Sequence, residues 1–228
     1  MTDFPRSPRL IKGALALLEK DQATSDARLV VFQYNPDQVR RSLANRTPQA
    51  PAGGANQGAR EDVLRVAGPP VETINLSIVL NTADQLAAPE ANSDVAKDGL
   101  HPALAALELM MYPPSLDSED LERRAKSGDV QVKPAALPLA LLIWGRARVV
   151  PVTITSFSVT EEAFDPRLNP IRAKVDLGLK VLTSLEFPDS SVGRDAYIAY
   201  QKQKEQMGAS FLGTVDEGHL RSFLPKGA

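Results

Sequence analysis

At 228 residues, with 43% hydrophobic and 24% charged side chains, the chain is long enough for one large domain with a real core, or for one domain plus tails. Twenty-six basic against 28 acidic residues leave a net charge of −2, which argues against the basic footprint of a nucleic-acid binder. There is no cysteine, so disulfides, thiolate nucleophiles and Cys-based zinc sites are excluded.

The first residues, Met1-Thr2-Asp3-Phe4-Pro5-Arg6, show no apolar run behind a basic start, so the expectation is assembly in the cytoplasm without a signal peptide. Residues 9–19 carry Leu10, Ile11, Ala14, Leu15, Leu17 and Leu18, a pattern that fits either a strand or a helix. Residues 28–34 are β-branched and aromatic and stop at Asn35-Pro36, which reads as a strand followed by a turn. The stretch 47–62 is almost devoid of large apolar groups and cannot offset its ordering entropy, so a mobile loop within one sheet system is expected. In residues 73–80, Ile74, Leu76, Ile78 and Leu80 alternate with polar neighbours, the period of a half-buried strand. A polar loop is expected over 87–98.

A helix opens at His101-Pro102, where proline's missing N–H costs nothing. Leu104, Leu107 and Met111 form its apolar stripe, and Tyr112-Pro113-Pro114 ends it. Residues 115–133 are polar; the mixed charges of Ser118 to Arg124 read as an exposed face. The longest apolar run, 137–143, is interrupted by Pro138 and far too short to span a bilayer, so no membrane insertion is expected. Residues 139–144 read as a buried strand ended by Gly145, and 152–160 as a less regular one. Residues 173–181 alternate best, with Ala173, Val175, Leu177, Leu179 and Val181 on one face. A second helix is expected over 193–207, then a weakly patterned tail. The resulting expectation is a mainly β, α+β fold with one central α-helix, an antiparallel barrel or sandwich. A domain spans 1–187, with a C-terminal helix and flexible tail over 188–228.

Chemistry-bearing motifs are sparse. His101 and His219 lie far apart, and neither stands in a HxxxH or HExxH frame. No GxSxG, GxxxxGK[ST] or GxGxxG after a strand occurs. No cofactor is expected. Glu161, Glu162 and Asp165 form the one carboxylate cluster worth weighing for a hydrolase, against the reading of a solvated acidic turn at Phe164-Asp165-Pro166. Only 5% of residues are aromatic, so stacking platforms for sugars or bases are scarce.

Three stretches in order resemble one family. The first is Val31-Phe32-Gln33-Tyr34-Asn35-Pro36 with Val39 and Arg41-Ser42. The second is Pro69-Pro70-Val71-Glu72-Thr73-Ile74, then Gly99-Leu100-His101-Pro102-Ala103-Leu104-Ala105-Ala106-Leu107-Glu108 and Tyr112-Pro113. The third is Leu142-Ile143-Trp144-Gly145, residues 152–159, Phe164-Asp165-Pro166 and Asn169-Pro170-Ile171-Arg172-Ala173-Lys174-Val175. Together, over residues 10–182, they resemble the tube-protein family of contractile injection systems, which contains the hub or tube-initiator proteins of extracellular contractile particles.

That resemblance implies a barrel like Hcp and phage tail-tube proteins, and a non-enzymatic structural subunit forming a homo-hexamer. It implies, as partners, a trimeric VgrG-like spike on one side, a tube ring on the other, and other baseplate proteins around them. The particle would be phage-tail-like, cytoplasmic or released. Many relatives carry a C-terminal LysM module; nothing after Phe187 looks like one. The alternative within the same machine is a main inner tube protein.

The residues themselves mark one candidate contact, the turn Phe164-Asp165-Pro166-Arg167-Leu168-Asn169-Pro170. Its two prolines reduce the entropy lost on docking, and Phe164 and Leu168 stand as apolar anchors beside Asp165, Arg167, Asn169 and Arg172. The plain alternative is a hairpin connection whose Phe164 closes the core.

Overall fold

The computed structural model describes residues 11–18, 27–47, 66–87, 90, 93–114, 122–124, 126 and 136–212. All of the loop expected over 47–62 except Thr47, and the tail from 213 onward, lie outside the described residues.

Seven strands form one open antiparallel sheet: β1 (Ala14–Leu18), β2 (Arg28–Val31), β3 (Val39–Ala44), β4 (Val71–Asn81), β5 (Leu139–Ile143), β6 (Val149–Phe164) and β7 (Pro170–Val181). Their order is β2-β1-β5-β6-β7-β4-β3. The helices are α1 (Ala83–Leu86), α2 (Ser93–Asp98), α3 (His101–Glu108) and α4 (Val192–Phe211), with 3-10 turns at Leu109–Met111 and Ser184–Glu186. This is a mainly antiparallel β fold of the α+β class.

The core follows from the alternation. Ile74, Leu76, Ile78 and Leu80 of β4 lie directly across from Leu179, Leu177, Val175 and Ala173 of β7, and paired residues point to the same face. All eight are buried in one cluster with Val150, Val152 and Ile154 of β6. Leu142 and Ala140 of β5, and Leu15 and Leu17 of β1, continue that face. The two-way reading of residues 9–19 resolves as a strand. Ala and Leu favour helices in isolation, but β1 has a partner strand on each side and is buried along its whole length, so pairing overrides propensity.

β6 is shared by two halves of the sheet. Its first residues, Val149 to Val152, pair with β5, while Val152 to Phe164 pair with β7. The register shifts between Ile154 and Ser156, where Thr155 turns its hydroxyl onto the carbonyl of Gly178 at 3.1 Å. Such a bulge bends the strand and strengthens its twist. It also explains the irregular alternation of 152–160.

Several boundaries differ from expectation. The strand at 28–34 ends at Val31, because Phe32 turns inward, fully buried, with its N–H on the carbonyl of Gly13 at 2.8 Å. A Cβ on Gly13 would stand 2.7 Å from the Trp144 ring and 2.8 Å from Phe32, so that packing requires glycine. β3 was not expected as a strand. Three of its six residues are Arg40, Arg41 and Ser42, and the alternation is weak. The polar stretch 87–98 contains α2. Residues 122–124 and 126 are helical and exposed.

In α3 the buried stripe is Leu104, Leu107 and Met110, not Met111. The last turn tightens to 3-10 geometry, and three residues per turn place Met110 beneath Leu107. α3 lies at the Pro170 end of β7, where the Leu100 N–H donates to the Pro170 carbonyl at 2.8 Å. α4 lies at the other end and sends Tyr197 and Tyr200 into the same core.

Candidate partner-binding site

The β6–β7 connection is a short, self-bonded turn. The Asp165 N–H donates to the Asn169 carbonyl, and the Leu168 N–H to the Asp165 carbonyl, both at 2.9 Å. The Asp165 carboxylate accepts from the backbone N–H of Arg167 at 2.7 Å and of Asn169 at 2.9 Å, and from the Asn169 side-chain amide at 3.0 Å. This is aspartate's usual turn chemistry, with the side chain taking donors the backbone leaves free. Desolvation pushes the Asp165 pKa up, but the hydrogen bonds from Asn169 and Arg167 outweigh it and hold the carboxyl below its ordinary value.

The turn is also fastened to α2. Asn169 donates its amide to the Lys97 carbonyl at 2.9 Å, and the Arg167 guanidinium donates to the Ala96 carbonyl. Gly99 makes this approach possible: its φ is 58°, and a Cβ there would sit 2.6 Å from the Pro170 carbonyl.

On this rigid turn the two apolar candidates face outward. Phe164 is 48% exposed and Leu168 77% exposed, so Phe164 does not close the core. Leu168 has φ 66°, and it is the one non-glycine residue with positive φ among the described residues. A branched side chain in that conformation costs about 1 kcal/mol and is uncommon outside Asn, Asp and Gly. Arg172 lies two positions beyond Pro170 on β7, its Nε 2.8 Å from the Glu162 carboxylate, and lines an open polar hollow of about 350 Å³ with Tyr34, Pro36, Asp37 and Ser77. The structure thus gathers Phe164, Asp165, Arg167, Leu168 and Asn169 at one tip, with Arg172 on the strand beside it.

The carboxylates weighed for hydrolysis do not converge. Glu162 is engaged by Arg172 and Asp165 by its own turn. Neither this hollow nor the shallower one over Asn75, Ser156, Ser158 and Gly178 is lined by Glu161, Glu162 or Asp165. Among the described residues no three His, Asp or Glu side chains are placed to hold a metal ion, and no helix is long and apolar enough to cross a membrane. His101 sits exposed in the first turn of α3.

A second polar centre escaped the sequence reading. Glu72 is 4% exposed, in phase with Ile74 and Leu76 on the core side of β4. Its carboxylate accepts from Arg41 Nε and Lys204 Nζ, each at 2.8 Å, and from the Tyr200 hydroxyl at 3.1 Å. Lys204 also rides 4.0 Å above the Tyr200 ring. Burial raises the Glu72 pKa, but Lys204 and Arg41 together outweigh it and hold the carboxyl below its ordinary range. Nearby, Arg46 pairs with Glu186 at 2.6 Å, and Glu186 closes a capping box on Thr183. The signal was present: a carboxylate at an apolar position of β4, and the Thr183-x-x-Glu186 spacing.

In class, the chain is an α+β protein built on one mainly antiparallel seven-stranded sheet. No family model matches it, and no curated protein is significantly similar to it.

Proposed function

We propose that this chain is a structural ring subunit, the hub or tube initiator of a contractile injection system baseplate, joining a trimeric spike to an inner tube as a homo-hexamer. The observation that carries the reading is the arrangement of strand edges. Beyond Val152, β6 has β7 on one side and, among the described residues, no strand on the other. That part of β6, with β7, β4 and β3, is a four-stranded antiparallel half-sheet whose two outer edges carry no further strand among the described residues. Because four is even, the outer strands run in opposite directions, so β3 of one copy meets β6 of the next antiparallel. Such head-to-tail pairing of unlike edges is what closes a ring, and it turns a liability into a binding mode.

The link between the sheet's ends supports a barrel-like curl of each subunit. Residues 32–38 join β2 and β3, which stand at opposite ends of the strand order. Asn35 is still tied to β1, accepting from the Gly13 N–H at 2.8 Å and donating to the Ile11 carbonyl at 2.9 Å. Four residue steps then remain to reach Val39, at most about 14 Å of chain. The five interstrand spacings from β1 to β3, laid flat, would span about 24 Å. The strand-end tip with Phe164 and Leu168 would then project along the ring axis, toward a coaxial partner.

Light scattering for mass, followed by negative-stain microscopy of the purified chain, tests the reading. Discrete closed rings support it. Long stacked tubes would transfer the assignment to a main tube protein, and a monomer at all concentrations would end the ring reading.

A further inference from the structure

The Glu72 centre lies away from the hairpin tip, and although Arg41 belongs to the edge strand β3, the ring reading makes no use of the buried carboxylate. One buried carboxylate joins three elements: Arg41 from the edge strand β3, Glu72 itself on β4, and Tyr200 and Lys204 from α4. The guanidinium of Arg41 further donates to the Tyr200 hydroxyl at 3.0 Å. α4 is held to the body along the stretch that ends at Lys204. Tyr197 and Tyr200 are its large buried side chains, Gly193 lets the Phe187 ring lie against it, and Gln203 reaches the Arg146 carbonyl at 3.4 Å. Beyond Lys204 the helix is largely exposed, as are Met207, Phe211 and Leu212 at its end.

We propose that Glu72 is an acid-released clamp: protonating this carboxylate frees α4 from the sheet while the β4–β7 core stays folded. The chemistry is asymmetric. Ionised, Glu72 answers two cations and a phenol. Neutral, it leaves Arg41 and Lys204 side by side without an anion between them, and two like charges then push β3 and α4 apart. The sheet core needs no such partner, because Ile74, Leu76, Leu177 and Leu179 are held by apolar burial, which does not titrate.

The other titratable groups around the site are accounted for. Tyr197 is affected by the charges of Glu72, Glu186 and Arg46, and burial pushes its pKa upward, so it stays neutral under acid. Glu186 has its own partners in Arg46 and Thr183, and it anchors the 3-10 turn before α4. Since the Glu72 carboxyl is held below its unfolded value, its contribution is fully present above the ordinary carboxylate range. It is lost as pH falls through the folded-state value.

The test is hydrogen exchange on the full chain, expressed as protection factors so that intrinsic pH effects cancel. The expected result is protection of 193–204 falling with acid by up to about tenfold per pH unit, the slope of a single proton, while β7 stays protected. Glu72→Gln should show the low α4 protection already at neutral pH. Lys204→Met, which keeps the stem over Tyr200, should move the transition to higher pH. Loss of α4 and β7 protection together, α4 protection that does not respond to acid, or a Lys204→Met transition that does not move would each overturn the proposal.

Discussion

The two ends of the β6–β7 hairpin solve the problem of a carboxylate near the chain in opposite ways. At the tip, Asp165 takes its donors from two and four residues away, all within one turn. At the far end, beside the finish of β7, Glu72 takes its donors from 31, 128 and 132 residues away. The tip is therefore built mainly by local rules, with two further bonds that fasten it to α2. The Glu72 centre exists only when β3, β4 and α4 have already come together. One is a rigid presenter of exposed side chains, the other a reporter of completed tertiary structure.

The largest expected effect removes what both ends share. Leu177 of β7, buried opposite Leu76, loses about 2 kcal/mol of burial on Leu177→Asp. It adds the several kcal/mol cost of an unpaired buried charge. Against a domain stability of roughly 5–15 kcal/mol, the expected outcome is loss of a cooperative thermal transition, read by circular dichroism. Soluble, cooperatively melting protein would mean that β4 and β7 do not share one core.

Glu72→Ala breaks the long-range end alone. It leaves two cations without their anion and should cost about 3 kcal/mol at neutral pH, measured by denaturant unfolding. The sign of the pH dependence sharpens this: wild type and variant should differ most above the ordinary carboxylate range and converge in acid. Thr183→Ala, which removes the cap of the turn leading into α4, should cost about 1 kcal/mol.

The smallest stability effect belongs to the tip. Leu168→Asn places at φ 66° a residue that tolerates it and should change stability by no more than about 1 kcal/mol, in the stabilising direction. It removes the exposed apolar side chain, so ring assembly or spike binding should fall while the melting temperature holds or rises. Unchanged assembly would show that the tip is only a hairpin connection.

The same contrast explains what was legible beforehand. β4 and β7 were readable because each has one buried and one wet face, and the period of two writes that directly into Ile74 to Leu80 and Ala173 to Val181. The tip was readable as a contact candidate because its prolines, acid and apolar residues are neighbours in the chain. That it is pinned to α2 was not readable, since α2 was hidden in a polar stretch. β3 was missed because Arg40 and Arg41 obscure its pattern: Arg41 lies opposite Ile74 on the core side, where Glu72 of the next strand pairs its charge. The partners of Glu72 were beyond reach, as nothing local to Lys204 or Tyr200 names a residue on β4.

The pairing of β1 has a consequence for synthesis. Leu15 leaves the ribosome well before its partner Leu142 on β5, which follows 127 positions later. At translation speeds of roughly 5–20 residues per second, that is on the order of ten seconds with an apolar segment and no strand to receive it from β5. β2 is an early neighbour, since Leu15 also pairs with Val30, so among the described residues a β1–β2 hairpin is the early shelter while the rest is made. The nascent chain therefore passes through a long interval with that hairpin's other edge open, in which a chaperone, or a second nascent copy, competes with β5 for the same backbone.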